Sequence, residues 1–235
     1  MNMSGNAILI TGGATGIGYS MAKYFHERGN RVLICGRRQE RLTQAASGLP
    51  GILTFCCDVT KADDRQALLA YAREALPELN ILINNAGIQQ DIDLTQGMAG
   101  FSESESEIIV NLEAPILLSA LFTPHLAGKE NAAIVNISSG LAFMPQYAVD
   151  RPVYCATKAG LHTFSLAQRV QLASLGIRVI EIIPPAVESE LNPVGRSKRR
   201  LARGLYMMPT DEFVARALLQ MEQGVEEIRL ESAGK

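Results

Sequence analysis

Short, continuous apolar runs alternate with longer mixed segments along this chain. Residues 7–11 (AILIT), 31–35 (RVLIC), 52–57 (ILTFCC), 80–84 (NILIN), 132–138 (AAIVNIS) and 177–183 (IRVIEII) are short and rich in β-branched residues. They read as strands buried on both faces. Residues 226–230 suggest a last, more polar strand. Between these runs the spacing turns helical. Residues 16–28 follow a glycine-rich turn and stop at Gly29, and residues 38–47 and 61–75 are polar along one side. Residues 103–126 and 152–175 are long and rich in Ala, Leu and Ser, and Thr210-Asp211-Glu212 opens a final helix with a cap and an acidic first turn. Regular strand–helix alternation predicts an α/β fold: a Rossmann-type three-layer αβα sandwich on a mostly parallel sheet of roughly seven strands.

Composition narrows this picture. The chain has 235 residues, 47% hydrophobic and 20% charged, in the range of an ordinary globular protein. Residues 1–235 therefore read as a single domain. A net charge of −2 gives no electrostatic reason to expect nucleic acid or an anionic membrane as partner. Four cysteines without a CxxC pair, and three histidines, argue against a zinc site or a disulfide framework. Only six residues precede the first apolar run, and apolar stretches such as 115–122 fall short of the ~20 residues that span a bilayer. The expectation is a cytoplasmic protein with no metal.

The candidate chemistry begins at the end of the first strand. In Thr11-Gly12-Gly13-Ala14-Thr15-Gly16-Ile17-Gly18, Gly12 permits a tight turn, Gly16 lets backbone approach a pyrophosphate, and Gly18 lets helix and strand pack closely. The helix that follows offers free N–H groups and a positive dipole end to phosphate. The second strand ends Cys35-Gly36-Arg37-Arg38, without the carboxylate that binds a ribose 2′-hydroxyl. A guanidinium there suits a 2′-phosphate, which favours NADP(H) with Arg37 as its ligand, NAD(H) remaining possible.

TGxxxGIG, then Asn84-Asn85-Ala86-Gly87, then Tyr154-Cys155-Ala156-Thr157-Lys158 together resemble the short-chain dehydrogenase/reductase family in its compact form. The resemblance covers roughly residues 5 to 230, with the motifs in the family's order. It implies that Thr15 and Ile17 flank the phosphate turn, that Asp58 and Val59 meet the adenine, and that Asn85, Ala86 and Gly87 line the cofactor ribose. It also implies a catalytic set of Asn111, Ser139, Tyr154 and Lys158, with Val187 meeting the nicotinamide amide. Two departures stand out. Ser139 and Tyr154 are 15 positions apart, more than the family's usual spacing, so residues 146–151 (QYAVDR) read as a bulge and Ser138 competes with Ser139. Pro185 also stands where the family has glycine. The stretches PPAVES and MMPTDEFVARAL are similar to a bacterial subgroup encoded near teichoic-acid D-alanylation genes.

Lys158 follows Tyr154 by one helical turn, so the two share a face. An ammonium there, with an oxidised nicotinamide, would lower the phenol's pKa and let Tyr154 act as general base or acid toward a small carbonyl or alcohol substrate. Ser139 would bond the substrate oxygen, and Asn111 would hold a proton-relaying water. Each residue alone has a plainer reading: an ordinary helix pair, a strand-end serine, a core amide. The rival functions are a nucleotide-binding regulator that does no chemistry and a sugar-nucleotide epimerase, the latter disfavoured by the glycine spacing and the short tail. Phe101, Met144 and Tyr147 are candidates for the substrate pocket. Residues 188–209 are read as a substrate lid, and its basic run Arg196, Lys198, Arg199, Arg200 and Arg203 as a possible attraction for anionic substrates. The two long apolar helices suggest a homodimer or homotetramer.

Overall fold

The computed structural model describes residues 1–101, 106–189, 191 and 207–230. Among them, seven strands form one all-parallel sheet: β1 (Ala7–Thr11), β2 (Arg31–Gly36), β3 (Leu53–Cys56), β4 (Ile81–Asn84), β5 (Ala133–Ile137), β6 (Arg178–Ile183) and β7 (Glu227–Arg229). The order across the sheet is β3-β2-β1-β4-β5-β6-β7. The chain therefore winds outward one way from β1, then returns to β1's other edge and winds the other way. That reversal opens a crevice beyond the carboxyl ends of β1 and β4, where open α/β sheets bind their ligands.

Strand alternation divides the core in two. Ile8, Ile10, Ile81, Ile83, Val135, Ile180 and Ile182 point to one face, where α1 (Gly16–His26), α2 (Gln39–Gly48) and α6 (Thr210–Glu222) bury Met21, Phe25, Leu42 and Phe213 against them. Leu9, Leu33, Leu82 and Ile134 point to the other, beneath Leu68 and Leu69 of α3 (Ala62–Ala75) and Leu118, Phe122 and Leu126 of α4 (Ala114–Leu126). On that second face α5 (Pro152–Leu172) packs against β6 and meets β5 through a polar layer: Asn136 of β5 donates to Ser165 Oγ at 2.9 Å and Gln168 Oε1 at 3.0 Å, and accepts from Asn84 at 2.9 Å.

The expected strands and helices are present, with small differences at their ends. Of the long helix expected over 103–126, residues 103–105 lie outside the described residues; the rest has a local change of pitch, Ile109–Glu113 being a π-turn that leads into α4. The cause is visible in the sequence. Pro115 has no N–H to give, so the helical ladder has no donor at that position and re-registers, the Ala114 N–H reaching back to the Ile109 carbonyl. Contrary to the expectation drawn from residues 115–122, Ile109–Leu126 is long and apolar enough to cross a membrane by length and composition. Its inward side chains are instead packed on the sheet, as in a core helix. Phe122 is fully enclosed there. Phe122→Ala should cost about 3–5 kcal/mol of unfolding free energy, measured by urea denaturation; a loss under about 1 kcal/mol would mean that this face is not packed against the sheet.

Candidate active site

A cavity of about 1000 Å3 runs along the carboxyl ends of the strands. One end is lined by Gly12, Thr15, Gly16 and Ile17, with Arg37, Arg38, Arg41, Asp58 and Val59 beyond. The middle holds Asn85, Ala86 and Gly87; the far end holds Ser138, Ser139, Tyr154, Lys158 and residues 183–187. The volume suits an organic ligand of substantial size.

The glycine turn is held by a neighbouring strand. Thr11 Oγ1 accepts from the Asn85 and Ala86 N–H groups, both at 3.0 Å, and Asn85 Nδ2 donates to the carbonyls of Thr11 (2.9 Å) and Gly12 (3.2 Å). The clamp leaves no room at Gly18: a Cβ there would lie 2.4 Å from the Gly12 carbonyl oxygen and 2.5 Å from Asn85 Nδ2. Gly16 has φ +54°, a left-handed backbone that favours glycine, and opens α1 with no acidic residue in its first turn. The turn thus offers close backbone approach and helix-end N–H groups, the features a pyrophosphate needs.

At the same end Asp58 Oδ1 accepts from the Thr60 N–H (3.0 Å) and hydroxyl (2.7 Å). Burial opposes its charged form, but these bonds, with the Arg37 guanidinium nearby, prevail and hold the carboxyl below its ordinary value. Arg37 and Arg38 are both exposed at the cavity wall.

At the other end Tyr154 and Lys158 project from α5 and are almost wholly enclosed, 5% and 4% exposed. The Ser139 hydroxyl lies beside the Tyr154 phenol and favours its ionised form, and Ser139 Oγ accepts from the Leu141 N–H at 3.2 Å. Ser138, the competing serine, keeps its Oγ buried without a partner. Lys158 Nζ donates to the Ile137 carbonyl at 2.8 Å and lies 5.7 Å from the centre of the Tyr154 ring. Burial dominates both groups. It pushes the Tyr154 phenol up to about 12, against the Ser139 hydroxyl and the Arg151 guanidinium, which favour ionisation. It pushes the Lys158 ammonium down to about 8, against the Glu181 carboxylate. The acidification expected of Tyr154 from Lys158 together with an oxidised nicotinamide belongs to the cofactor-bound protein; in the protein alone, removing the phenolate from water costs more than its neighbours return.

Asn111 lies in the π-turn and its side chain is committed. Oδ1 accepts from the Ile88 N–H (2.9 Å), while Nδ2 donates to the Ile88 carbonyl (2.9 Å) and Thr157 Oγ1 (3.3 Å). Gly87 sits against it: a Cβ there would lie 3.2 Å from Asn111 Oδ1 and 3.8 Å from Lys158 Nζ. Val187 forms an isolated bridge with Met208, with Met208 N–H on the Ala186 carbonyl (2.8 Å) and Glu188 N–H on the Met208 carbonyl (3.0 Å). This bridge closes the base of the segment read as a lid; its basic run, Arg196 to Arg203, lies outside the described residues. Across residues 146–151, Gln146, Tyr147, Val149 and Asp150 are exposed while Ala148 and Arg151 are buried, and the Asp150 carbonyl accepts from Ile92 N–H at 2.8 Å. Met144 and Tyr147 line the cavity, whereas Phe101 is exposed and is not among the described lining residues. Arg151 also stands in the wall, a residue the sequence motifs do not single out, although a charged side chain three positions before Tyr154 is a visible signal.

A parallel sheet with a glycine-rich turn at its point of reversal, opening on a cleft that ends at a buried tyrosine and lysine, defines a dinucleotide-binding class. The chain belongs to the short chain dehydrogenase family, whose sequence model matches residues 6–200. It is 47% identical over 229 residues to the uncharacterized oxidoreductase DltE of Bacillus subtilis, covering 97% of this chain and 89% of that one. Among solved structures it resembles a short-chain dehydrogenase from Sphingobium yanoikuyae in complex with NADPH (28% identity, TM-score 0.79, 95% and 87% of the two chains). It also resembles a 3-ketoacyl-(acyl-carrier-protein) reductase from Brucella melitensis complexed with NADH (26% identity, TM-score 0.82, 97% and 96%). The protein is an oxidoreductase of this family, with a nicotinamide cofactor.

The tightness at Gly18 gives a direct test of the turn. Gly18→Ala should raise the dissociation constant for the dinucleotide by about tenfold or more, a loss of roughly 1.4 kcal/mol, read by cofactor fluorescence titration; unchanged affinity would remove the turn from the binding site.

Proposed function

We propose that this protein is an NADP(H)-dependent oxidoreductase that interconverts a small carbonyl compound and its alcohol, with Tyr154 giving and taking the proton. The observation that carries this reading is the enclosure of Tyr154, Ser139 and Lys158 together at one end of the cleft whose other end is the glycine turn.

The cleft fits a dinucleotide along its length. Thr15, Gly16 and Ile17 would cradle the pyrophosphate, Gly12 and Gly18 shaping the turn. Asp58 and Val59 would meet the adenine, Asn85, Ala86 and Gly87 the ribose, and Val187 the nicotinamide amide. When bound, the nicotinamide supplies or accepts the hydride and, oxidised, adds a positive charge to the site. The rest falls to the protein. In reduction the neutral Tyr154 phenol donates its proton to the substrate oxygen while Ser139 holds that oxygen by a hydrogen bond. In oxidation Tyr154 receives the proton. Lys158, charged below about 8, stabilises the phenolate and would hold the ribose hydroxyls. Asn111 contributes through its main-chain carbonyl, since its amide is occupied and no N–H at Pro115 competes for that oxygen. That carbonyl could hold the water that relays protons from Lys158.

The reading takes the whole chain as one nucleotide-binding domain, with residues 188–209 as its substrate lid. Pairing with a second copy through the outer faces of α4 and α5 is supported by exposed Leu117, Leu166 and Val170.

Tyr154→Phe should lower kcat by roughly 10²–10⁴-fold in either direction with cofactor affinity retained, measured by NADPH oxidation against a carbonyl panel. Full turnover in that variant would refute the proton role, and tight cofactor binding with no turnover of any panel member in the unaltered protein would favour a regulator. Arg37→Gln should weaken NADPH by about 1–3 kcal/mol and leave NADH little changed, in parallel KM measurements. An equal loss for both cofactors would remove Arg37 from the 2′-phosphate site.

A further inference from the structure

Behind Lys158 lies an acid to which the proposed chemistry gives no part. Glu181, on β6, is fully buried at 0% exposure, on the sheet face covered by α5. A carboxylate so enclosed must be held by partners or give up its charge. His162 Nδ1 stands 2.7 Å from its Oε2, while Oε1 has no hydrogen-bond partner. Toward an ionised carboxylate, which only accepts, His162 would carry its proton on Nδ1.

The placement ties this pair to the active site. His162 follows Lys158 by one turn of α5, on the same face. Glu181 is the register partner of Asn136 on β5, and the next β5 residue, Ile137, gives its carbonyl to Lys158 Nζ. Among the described residues, other charged groups stand around the pair. From β7, Glu227 is the register partner of Glu181 and brings a carboxylate oxygen into a cluster with the acceptor atoms of His162 and Glu181, all within 4.8 Å of one another. Arg229 stacks its guanidinium 3.9 Å over the Phe143 ring, whose plane meets His162 edge-on at 4.7 Å. On α5, Arg169 is engaged with the Val179 carbonyl and with Glu226, which also pairs with Arg178 on β6. From β5, Asn136 is neutral.

We propose that Glu181, oriented by His162, is a positioning residue for the catalytic pair, its buried carboxylate keeping the Lys158 side chain in the ammonium form despite enclosure. The inference rests on the roles proposed for Tyr154 and Lys158. Burial already disfavours the ammonium, and Glu181 is the group that opposes that effect. Without its charge Lys158 would become neutral at a lower pH, and the phenolate of Tyr154 would lose its support.

The test is a nuclear magnetic resonance titration of the Lys158 side chain in the cofactor-free protein, assigned with Lys158→Arg. The unaltered protein should titrate near about 8. Glu181→Gln should move the midpoint down by about one pH unit or more, His162→Gln should move it in the same direction by less, and Glu181→Asp should stay near the unaltered value. The alkaline limb of kcat should move down with the titration. A Lys158 midpoint that stays put or rises in Glu181→Gln overturns the inference; should Glu181→Gln not fold, a midpoint unmoved or raised in His162→Gln overturns it instead. The two proposals fail separately: full turnover by Tyr154→Phe sinks the proton role of the tyrosine whatever Lys158 does, whereas an inactive Tyr154→Phe with an unmoved Lys158 sinks only the role of Glu181.

Discussion

The clamp between the ends of β1 and β4 is the constraint on which the rest of the structure depends. One hydroxyl, Thr11 Oγ1, receives two backbone N–H groups from the turn after β4, and one amide, Asn85 Nδ2, reaches back to two carbonyls of the turn after β1. These four bonds satisfy main-chain groups that would otherwise be orphaned where the two strands end. They also hold the glycine turn and the Asn85–Gly87 turn as opposite walls of a single cleft, at the place where the sheet reverses its winding. A loose joint there would leave the phosphate-binding turn and the proton-transfer end without a common frame.

Burial is what makes the far end of the cleft chemically distinctive, and it acts in opposite directions on two neighbours. It holds Tyr154 neutral and makes Lys158 easier to deprotonate. A neutral phenol is the form a reduction requires, and an ammonium is the form that supports the phenolate left behind. Ser139, Arg151 and Glu181 work against burial, while the Glu107 carboxylate acts with it on Tyr154. The site is therefore poised by a balance in which water exclusion is the larger influence and pre-oriented groups supply the correction.

Much of this was legible in the amino-acid sequence, for reasons that differ from one element to the next. The strands were readable because residues buried on both faces form unbroken β-branched runs, and the nucleotide turn because Gly16 and Gly18 serve local backbone needs. Tyr154 and Lys158 were found together because one helical turn is a local spacing. The change of pitch at Asn111 was readable in principle from Pro115, but periodicity alone does not show how a ladder re-registers. Other features depend on contacts between distant segments. The pairing of His162 with Glu181 requires α5 to be laid over β6, and the preference for Ser139 over Ser138 depends on which side of β5's end faces Tyr154. The upward shift of Tyr154 in the protein alone follows from enclosure, which no local pattern reports.

A crystal structure of the complex with NADPH tests the proton-transfer site and the nucleotide cleft at once. It should show the hydroxyl of Tyr154 turned toward the reactive face of the nicotinamide, the pyrophosphate against the backbone of residues 15–17 and the 2′-phosphate beside Arg37. A complex in which the dinucleotide lies elsewhere, or in which the phenol faces away from the ring with Ser139 bonded to another group, would contradict it.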